Sequence, residues 1–248
     1  MSKKCIKSLK IIGNNSAGIK AKTDSFQNVL NQLKPGVVLV QESKLYKKGT
    51  LKFSDYFVFE KVRKENEGGG LMTLVHSNLK PIMIPIENDS KMAENVLVIE
   101  AQLGKSKVRF INAYGPQETS PLDDRTEFFG TLDQQIQDCL NKNIMLCLEL
   151  DANAKVGNVA IPYNPQENIS PNGQLLLELI ERNQLILVNA SSKCHGKLTR
   201  VKTKKGITEK SILDYFIVCQ SFYNLINEMV VDEEKKFVFK NIPKLEEK

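Results

Sequence analysis

The chain has 248 residues, of which 41% are hydrophobic and 26% charged, an ordinary balance for a globular protein with a sizeable core. Its net charge of +6 and sequence pI near 8.9 favour a polyanionic partner such as nucleic acid. No run reaches the length of a membrane span, the basic start MSKKCIKSLKIIG lacks an apolar signal core, and five scattered cysteines form no C-x-x-C pair. These features argue against a membrane protein, a secreted disulfide scaffold and a cysteine-rich zinc module. The expectation is an intracellular monomer of nucleus or cytoplasm with reduced thiols.

SLKIIGN (8–14) reads as a first strand and GVVLVQE (36–42) as a second, with a helix from about Asp24 to Leu33 between them. Phe26, Val29, Leu30 and Leu33 recur at helical spacing and make one apolar stripe. Strands are predicted next at YFVFE (56–60), GLMTLVH (70–76), NVLVIEAQL (95–103) and KVRFINAY (107–114). A second helix covers about Asp123 to Leu140, with Phe128, Phe129, Leu132, Ile136 and Leu140 facing inward. NIMLCLEL (143–150) follows as a buried strand, since every residue from Ile144 to Leu150 except Glu149 is apolar. A third helix starts at Ser170-Pro171, an N-cap with proline at the first helical position, and runs through GQLLLELIERN. LILVNA (185–190) and ILDYFIV (212–218) are the last predicted strands. So many strands with so few helices imply stacked sheets faced by helices. With no repeat and no linker, residues 1–248 read as a single domain.

On this frame the polar residues gather at strand ends. Asn15 follows the first strand, Glu42 ends the second, Tyr114 ends KVRFINAY, Asp151 and Asn153 follow NIMLCLEL, and Asp214 sits inside the last strand. A carboxylate such as Glu42 is a hard oxygen ligand suited to Mg²⁺. An acid to take a proton from water, with amide and phenol groups to hold a phosphate oxygen, would complete a phosphodiesterase site. Singly, each residue also reads as an ordinary turn, cap or core-edge residue. Two basic runs flank these positions: residues 193–210 hold seven basic residues against Glu209 alone, and residues 42–64 hold seven against three acidic. Lys44 in one run, and Arg200, Lys202, Lys204 and Lys205 in the other, are the candidate nucleic-acid contacts.

The ordered set Asn15-Ser16-Ala17-Gly18, Gln41-Glu42-Ser43-Lys44, Gly68-Gly69-Gly70-Leu71, Asn112-Ala113-Tyr114-Gly115-Pro116, Asp151-Ala152-Asn153-Ala154, NGQLLLELIERNQLILVNA and SILDYFIV spans nearly the whole chain. It resembles the endonuclease/exonuclease/phosphatase superfamily, most closely the apurinic-endonuclease-like (exonuclease III type) domain of non-LTR retrotransposons. The resemblance implies an α/β fold: a DNase I-like, four-layer sandwich of two mixed sheets face to face with helices outside. It also implies an Mg²⁺-dependent endonuclease acting on DNA, with Mn²⁺ as an acceptable substitute. By the same resemblance Glu42 holds the metal, Asn15 supports it, Tyr114 and Asn153 bind the scissile phosphate, Asp151 activates water, and Asp214 buttresses a histidine.

Three departures are visible. Ala17 stands where the family has Asn or Asp, Leu150 replaces a glycine and is expected to crowd the cleft, and the closing strand with its S/T-D-H triplet is expected to be missing. Asp214 is then left without its histidine partner, because His76 ends an apolar strand and His195 falls in a basic loop. Two function classes therefore stay open: an impaired endonuclease, and a catalytically degenerate nucleic-acid-binding module on the same fold. A branch acting on phospholipids or inositol phosphates fits the basic balance less well.

Overall fold

The structure is a computed structural model that describes residues 8–62, 69–87, 90–204, 206–233 and 241–246. In chain order the first elements are β1 (Ser8–Asn15), α1 (Thr23–Leu33), β2 (Val37–Gln41), β3 (Tyr56–Lys61), β4 (Leu71–His76), β5 (Ile82–Ile84), β6 (Val96–Leu103) and β7 (Ser106–Tyr114). Then come α2 (Leu122–Asn141), β8 (Met145–Asp151), α3 (Gly157–Ala160), α4 (Pro171–Arg182), β9 (Ile186–Leu187) and β10 (Cys194–His195). The chain continues through β11 (Arg200–Lys204), β12 (Ile207–Ser211), β13 (Asp214–Val218), α5 (Gln220–Tyr223), β14 (Ile226–Val231) and β15 (Asn241–Glu246).

Two mixed sheets result. One has the order β10-β14-β15-β1-β2-β4-β3 and the other β5-β6-β7-β8-β13-β9, while β11 and β12 form a separate hairpin. The alternation of β2 sets the layers. Val37 and Leu39 enter the core between the sheets, whereas Val38 and Val40 pack on the other side against Phe26, Val29 and Leu30 of α1. The second sheet is covered by α2 and α4 through Phe128, Leu132, Ile136, Leu176 and Leu179. Strands buried on both faces read as unbroken apolar runs, which is why β2 and β8 stand out in the sequence. The result is the expected α/β sandwich.

A polar bridge crosses the core. Gln41 Nε2 donates to Asn112 Oδ1 at 2.7 Å and to Glu149, while Asn112 Nδ2 reaches Val40 O, Met72 O and Thr73 Oγ1, each at 3.1 Å. Gln41, Thr73, Asn112 and Glu149 are all fully buried, so this bridge ties β2 and β4 of one sheet to β7 and β8 of the other. Gly13 is required beside it, because a Cβ there would lie 2.3 Å from Glu149 Oε1. At the outer layer, buried Arg109 of β7 bonds Glu100 at 2.6 Å and Asp138 of α2 at 2.8 Å, clamping the helix to the sheet.

Several elements differ from expectation. LILVNA is a strand only over Ile186–Leu187. Beyond that point Asn189 replaces backbone pairing with its side chain, accepting from Phe216 N at 2.8 Å and donating to Asp214 O at 3.2 Å. Within the basic run 193–210, β11 (Arg200–Lys204) pairs with β12 (Ile207–Ser211) as a hairpin, and His195 lies on the short edge strand β10. A strand does follow β14, but it is not the S/T-D-H strand expected to be missing. β15 lies between β14 and β1, antiparallel to both, with Asn241 opposite Gly13 and Val231. That strand carries no histidine.

Candidate active site

Strand register brings the candidate residues to one edge. In the first sheet Asn15 of β1 pairs with Gln41 of β2, which puts Glu42 beside it. In the second, Asp151 of β8 lies opposite both Tyr114 of β7 and Asp214 of β13. The two edges meet around a cavity of about 320 Å³ whose walls include Asn15, Glu42, Asp151, Asn153 and Asp214.

Asn15 is the hinge of this geometry. Its Nδ2 donates to Glu42 Oε1 at 3.0 Å and to Asp151 Oδ2 at 2.5 Å, so one amide holds carboxylates from both sheets. Its Oδ1 accepts from Ala17 N at 3.1 Å, which turns the chain away from β1. Tyr114 donates its hydroxyl to Glu42 Oε1 at 3.1 Å. Burial, then the charges of Glu42 and Asp151, push that phenol up to about 12, so Tyr114 stays a donor at neutral pH. Glu42 Oε2 faces the Lys44 ammonium at 3.8 Å.

Asp151 is buried at the end of β8. That burial, then the neighbouring Asp214 and Glu42 charges, raise its carboxyl to about 7 despite the hydrogen bonds from Asn15 and from Asn153 N. Asp214, itself buried, is not the isolated carboxylate that the sequence implied: it stands opposite Asp151 and is electrostatically coupled to it. Leu150 is also corrected. It points into the core and does not crowd the cleft, as alternation between Glu149 and Asp151 requires.

The loops after β7 and β8 are laced together. Gly115 N donates to Asp151 O at 2.7 Å, and Asn153 Nδ2 donates to Gly115 O at 2.9 Å. A Cβ on Gly115 would sit 2.6 Å from Ala152 O, so only glycine allows this approach. Asn172, a residue whose role the sequence did not disclose, completes the lacing: buried at the start of α4, it donates to Pro116 O at 2.9 Å and Asn153 O at 3.2 Å. In the sequence it appears as the first residue of the motif NGQLLLELIERNQLILVNA, after the Ser170-Pro171 cap, with no partner to see. Thr199 was also missed. Its buried Oγ1 accepts from Leu213 N at 2.9 Å and Asp214 N at 3.2 Å, tying the hairpin to β13.

Among the candidate nucleic-acid residues, Arg200 lines the cavity, while Lys202 and Lys204 stand on the same strand of the hairpin. Lys205 lies outside the described residues. Neither described histidine lines the cavity: His76 caps a 3-10 turn against Asn78 N, and His195 is exposed on β10. The four described cysteines are free thiols.

Among the described residues no three His, Cys, Asp or Glu side chains are grouped as a ready metal cage. Mg²⁺ takes one or two protein carboxylates and keeps most of its waters. Glu42 offers such a carboxylate at a wet edge, with Asn15 and Tyr114 orienting one of its oxygens.

Two facing mixed sheets with outer helices make the DNase I-like α/β sandwich that was expected, with polar groups collected at one strand-end edge. The chain is similar over 97% of its length to the endonuclease domain of TRAS1, a telomere-specific non-LTR retrotransposon, with 15% identity, 99% of that domain covered and a TM-score of 0.74. It is similar over 98% of its length to the AP endonuclease LMAP from Leishmania major, with 14% identity, 89% of that chain covered and a TM-score of 0.74. It also matches, over 97% of its length, the 3′ phosphatase NExo from Neisseria bound to product DNA hairpin, at 15% identity, with 100% of that chain covered and a TM-score of 0.72. At these identities the likeness is one of fold. No protein-family model matches the sequence, and no curated protein matches it. No helix among the described residues is long and apolar enough to cross a membrane.

Proposed function

We propose that this chain is an Mg²⁺-dependent phosphodiesterase that cuts DNA, with Mn²⁺ able to replace Mg²⁺. One observation carries the reading: Asn15 bonds Glu42 and Asp151 at once, and so joins a metal-type carboxylate to a base-type carboxylate at the mouth of one cavity. The solved structures of similar fold support the substrate class, since two are named endonucleases and a third holds a DNA product.

In this reading Glu42 holds the metal, which when bound neutralises charge on a phosphate oxygen. Asp151, with its carboxyl raised to about 7, accepts a proton from the attacking water near neutral pH. Asn15 keeps Asp151 aimed at the cavity, and burial, then the Asp214 charge, keep Asp151 basic. Tyr114, protonated across the neutral range, donates its single hydroxyl hydrogen to Glu42, and it reaches a phosphate oxygen only by exchanging that bond for one to the substrate. Asn153 is held by Gly115 O and faces the same cavity, suited to steady the phosphate under attack.

Nicking of supercoiled plasmid tests this. The wild-type chain should nick in Mg²⁺ and stop in EDTA. Glu42→Gln should lower the rate by ~10²-fold or more and remove the Mg²⁺-induced rise in melting temperature. Nicking that survives EDTA or ignores Glu42→Gln would overturn the metal assignment. A wild-type chain that binds duplex DNA in Mg²⁺ without nicking it would favour the degenerate binding module.

A further inference from the structure

The cavity holds three carboxylates, Glu42, Asp151 and Asp214, and a single cation among the described residues that line it, Arg200. A phosphodiester entering this space brings another negative charge and develops more as water attacks. A permanently charged group with a planar fork of donors is the best match for such an oxygen pair. No described histidine lines the cavity to supply that charge.

The backbone of Arg200 is fixed from two sides. The preceding residue, buried Thr199, accepts from Leu213 N at 2.9 Å and Asp214 N at 3.2 Å. Arg200 itself pairs with Ser211 in the hairpin, three residues before Asp214. The guanidinium is therefore carried on a strand end bolted to the carboxylate edge, not on a loop tip. Among the described residues it makes no ion pair, so it is not already spent on a structural role. The other cation close to the site, Lys44, faces Glu42 at 3.8 Å and does not line the cavity.

We propose that Arg200 is a catalytic residue, whose guanidinium binds the non-bridging oxygens of the scissile phosphodiester and stabilises the charge of the transition state. The inference rests on the phosphodiesterase reading given above and adds a residue to it. In the step, the water oxygen bonds to phosphorus as one P–O ester bond breaks. The water proton passes to Asp151, the leaving oxygen takes a proton from solvent, and Arg200 exchanges no proton. This differs from a general DNA grip. A residue that only holds duplex changes affinity, whereas one that binds the reacting phosphate more tightly in the transition state changes the rate at saturation.

The test is single-turnover nicking of supercoiled plasmid in Mg²⁺ at saturating enzyme, with duplex affinity measured separately in Ca²⁺. Arg200→Ala is expected to lower the saturated rate by ~10²-fold while changing affinity by only about 3-fold. Arg200→Lys should recover part of the rate, and millimolar guanidinium should rescue Arg200→Ala but not Glu42→Gln. Lys107→Ala, far from the cavity, controls for general charge. A saturated rate unchanged in Arg200→Ala, with the loss confined to affinity, would overturn the catalytic assignment and leave the nuclease reading intact. A wild-type chain that never nicks would overturn both.

Discussion

At one end of the two sheets a cavity of about 320 Å³ gathers Glu42, Asp151 and Asp214; at the other a groove of about 800 Å³ is lined by Lys105, Lys107 and Lys142 and by no carboxylate. The larger space is the less organised. Its lysines are exposed, and Lys142 is already paired with Asp138 at 2.8 Å. The smaller space has its polar groups aimed by hydrogen bonds: Asn15 to Asp151 and Tyr114 to Glu42 cross between the sheets, and Asn153 is laced to Gly115 within the second. Catalysis depends on groups held in place before the reaction, so orientation and burial rank the two ends where volume would rank them in reverse.

The sharpest way to break this comparison is to disable each end in turn. Asp151→Asn should reduce plasmid nicking by ~10³-fold, and a triple Lys105→Ser, Lys107→Ser, Lys142→Ser variant should nick as the wild type does. A large loss in the triple variant would mean the rear groove takes part in the reaction.

A smaller effect separates the ends by charge. Duplex binding in Ca²⁺, followed against salt, should have a log–log slope that falls by ~0.9 for each phosphate the protein no longer neutralises. Lys202→Ser and Lys210→Ser on the hairpin should each flatten it by up to that amount, while the rear triple should leave it unchanged. Equal flattening from the rear lysines would show that both ends touch DNA.

The smallest effect concerns stability and pH. Asp151 is raised from 3.8 to about 7, so the folded state holds this proton more tightly than the unfolded state does. Stability from this group is therefore greatest below about pH 4 and is lost as pH rises towards about 7. Asp151→Asn should raise the melting temperature of the metal-free protein by roughly 5 °C at pH 8 and by little at pH 4. A melting temperature that rises equally at both pH values would remove the electrostatic explanation.

The sandwich was legible because its central strands are buried on both faces and its helices carry single apolar stripes. The parts that escaped lack those signals. Arg200–Lys204 has a single apolar residue, Val201, so its pairing with β12 left no apolar alternation to detect. β15 pairs with β14 just before it and with β1 at the other end of the chain, and the second relation is one that no local pattern encodes. The polar residues of the candidate site were visible as types at strand ends, but their roles as neighbours were not. Asn15 reads as a turn residue until register sets it between two sheets, and Asn172 reads as helix start until its amide is seen to join two loops. Leu150 misled for a related reason: its position beside Asp151 in sequence puts it on the opposite face of the strand.

Nine described non-glycine residues have positive φ, and four of them, Ala17, Glu42, Lys44 and Asn153, cluster at the carboxylate edge. Of the other five, Lys34 and Lys80 end helices, Asn143 and Gln184 closely follow helices, and Asp55 lies in a turn. Left-handed backbone under a side chain costs on the order of 1 kcal/mol, and glycine would relieve it. Glycine at Glu42 or Asn153 could trace the same path, but only with loss of the hydrogen bonds that Glu42 takes from Asn15 and Tyr114 and that Asn153 gives to Gly115. The bent carboxylate edge is thus a place where the molecule is less stable than a glycine-bearing backbone would make it, and the strain is carried where Glu42 and Asn153 reach the cavity.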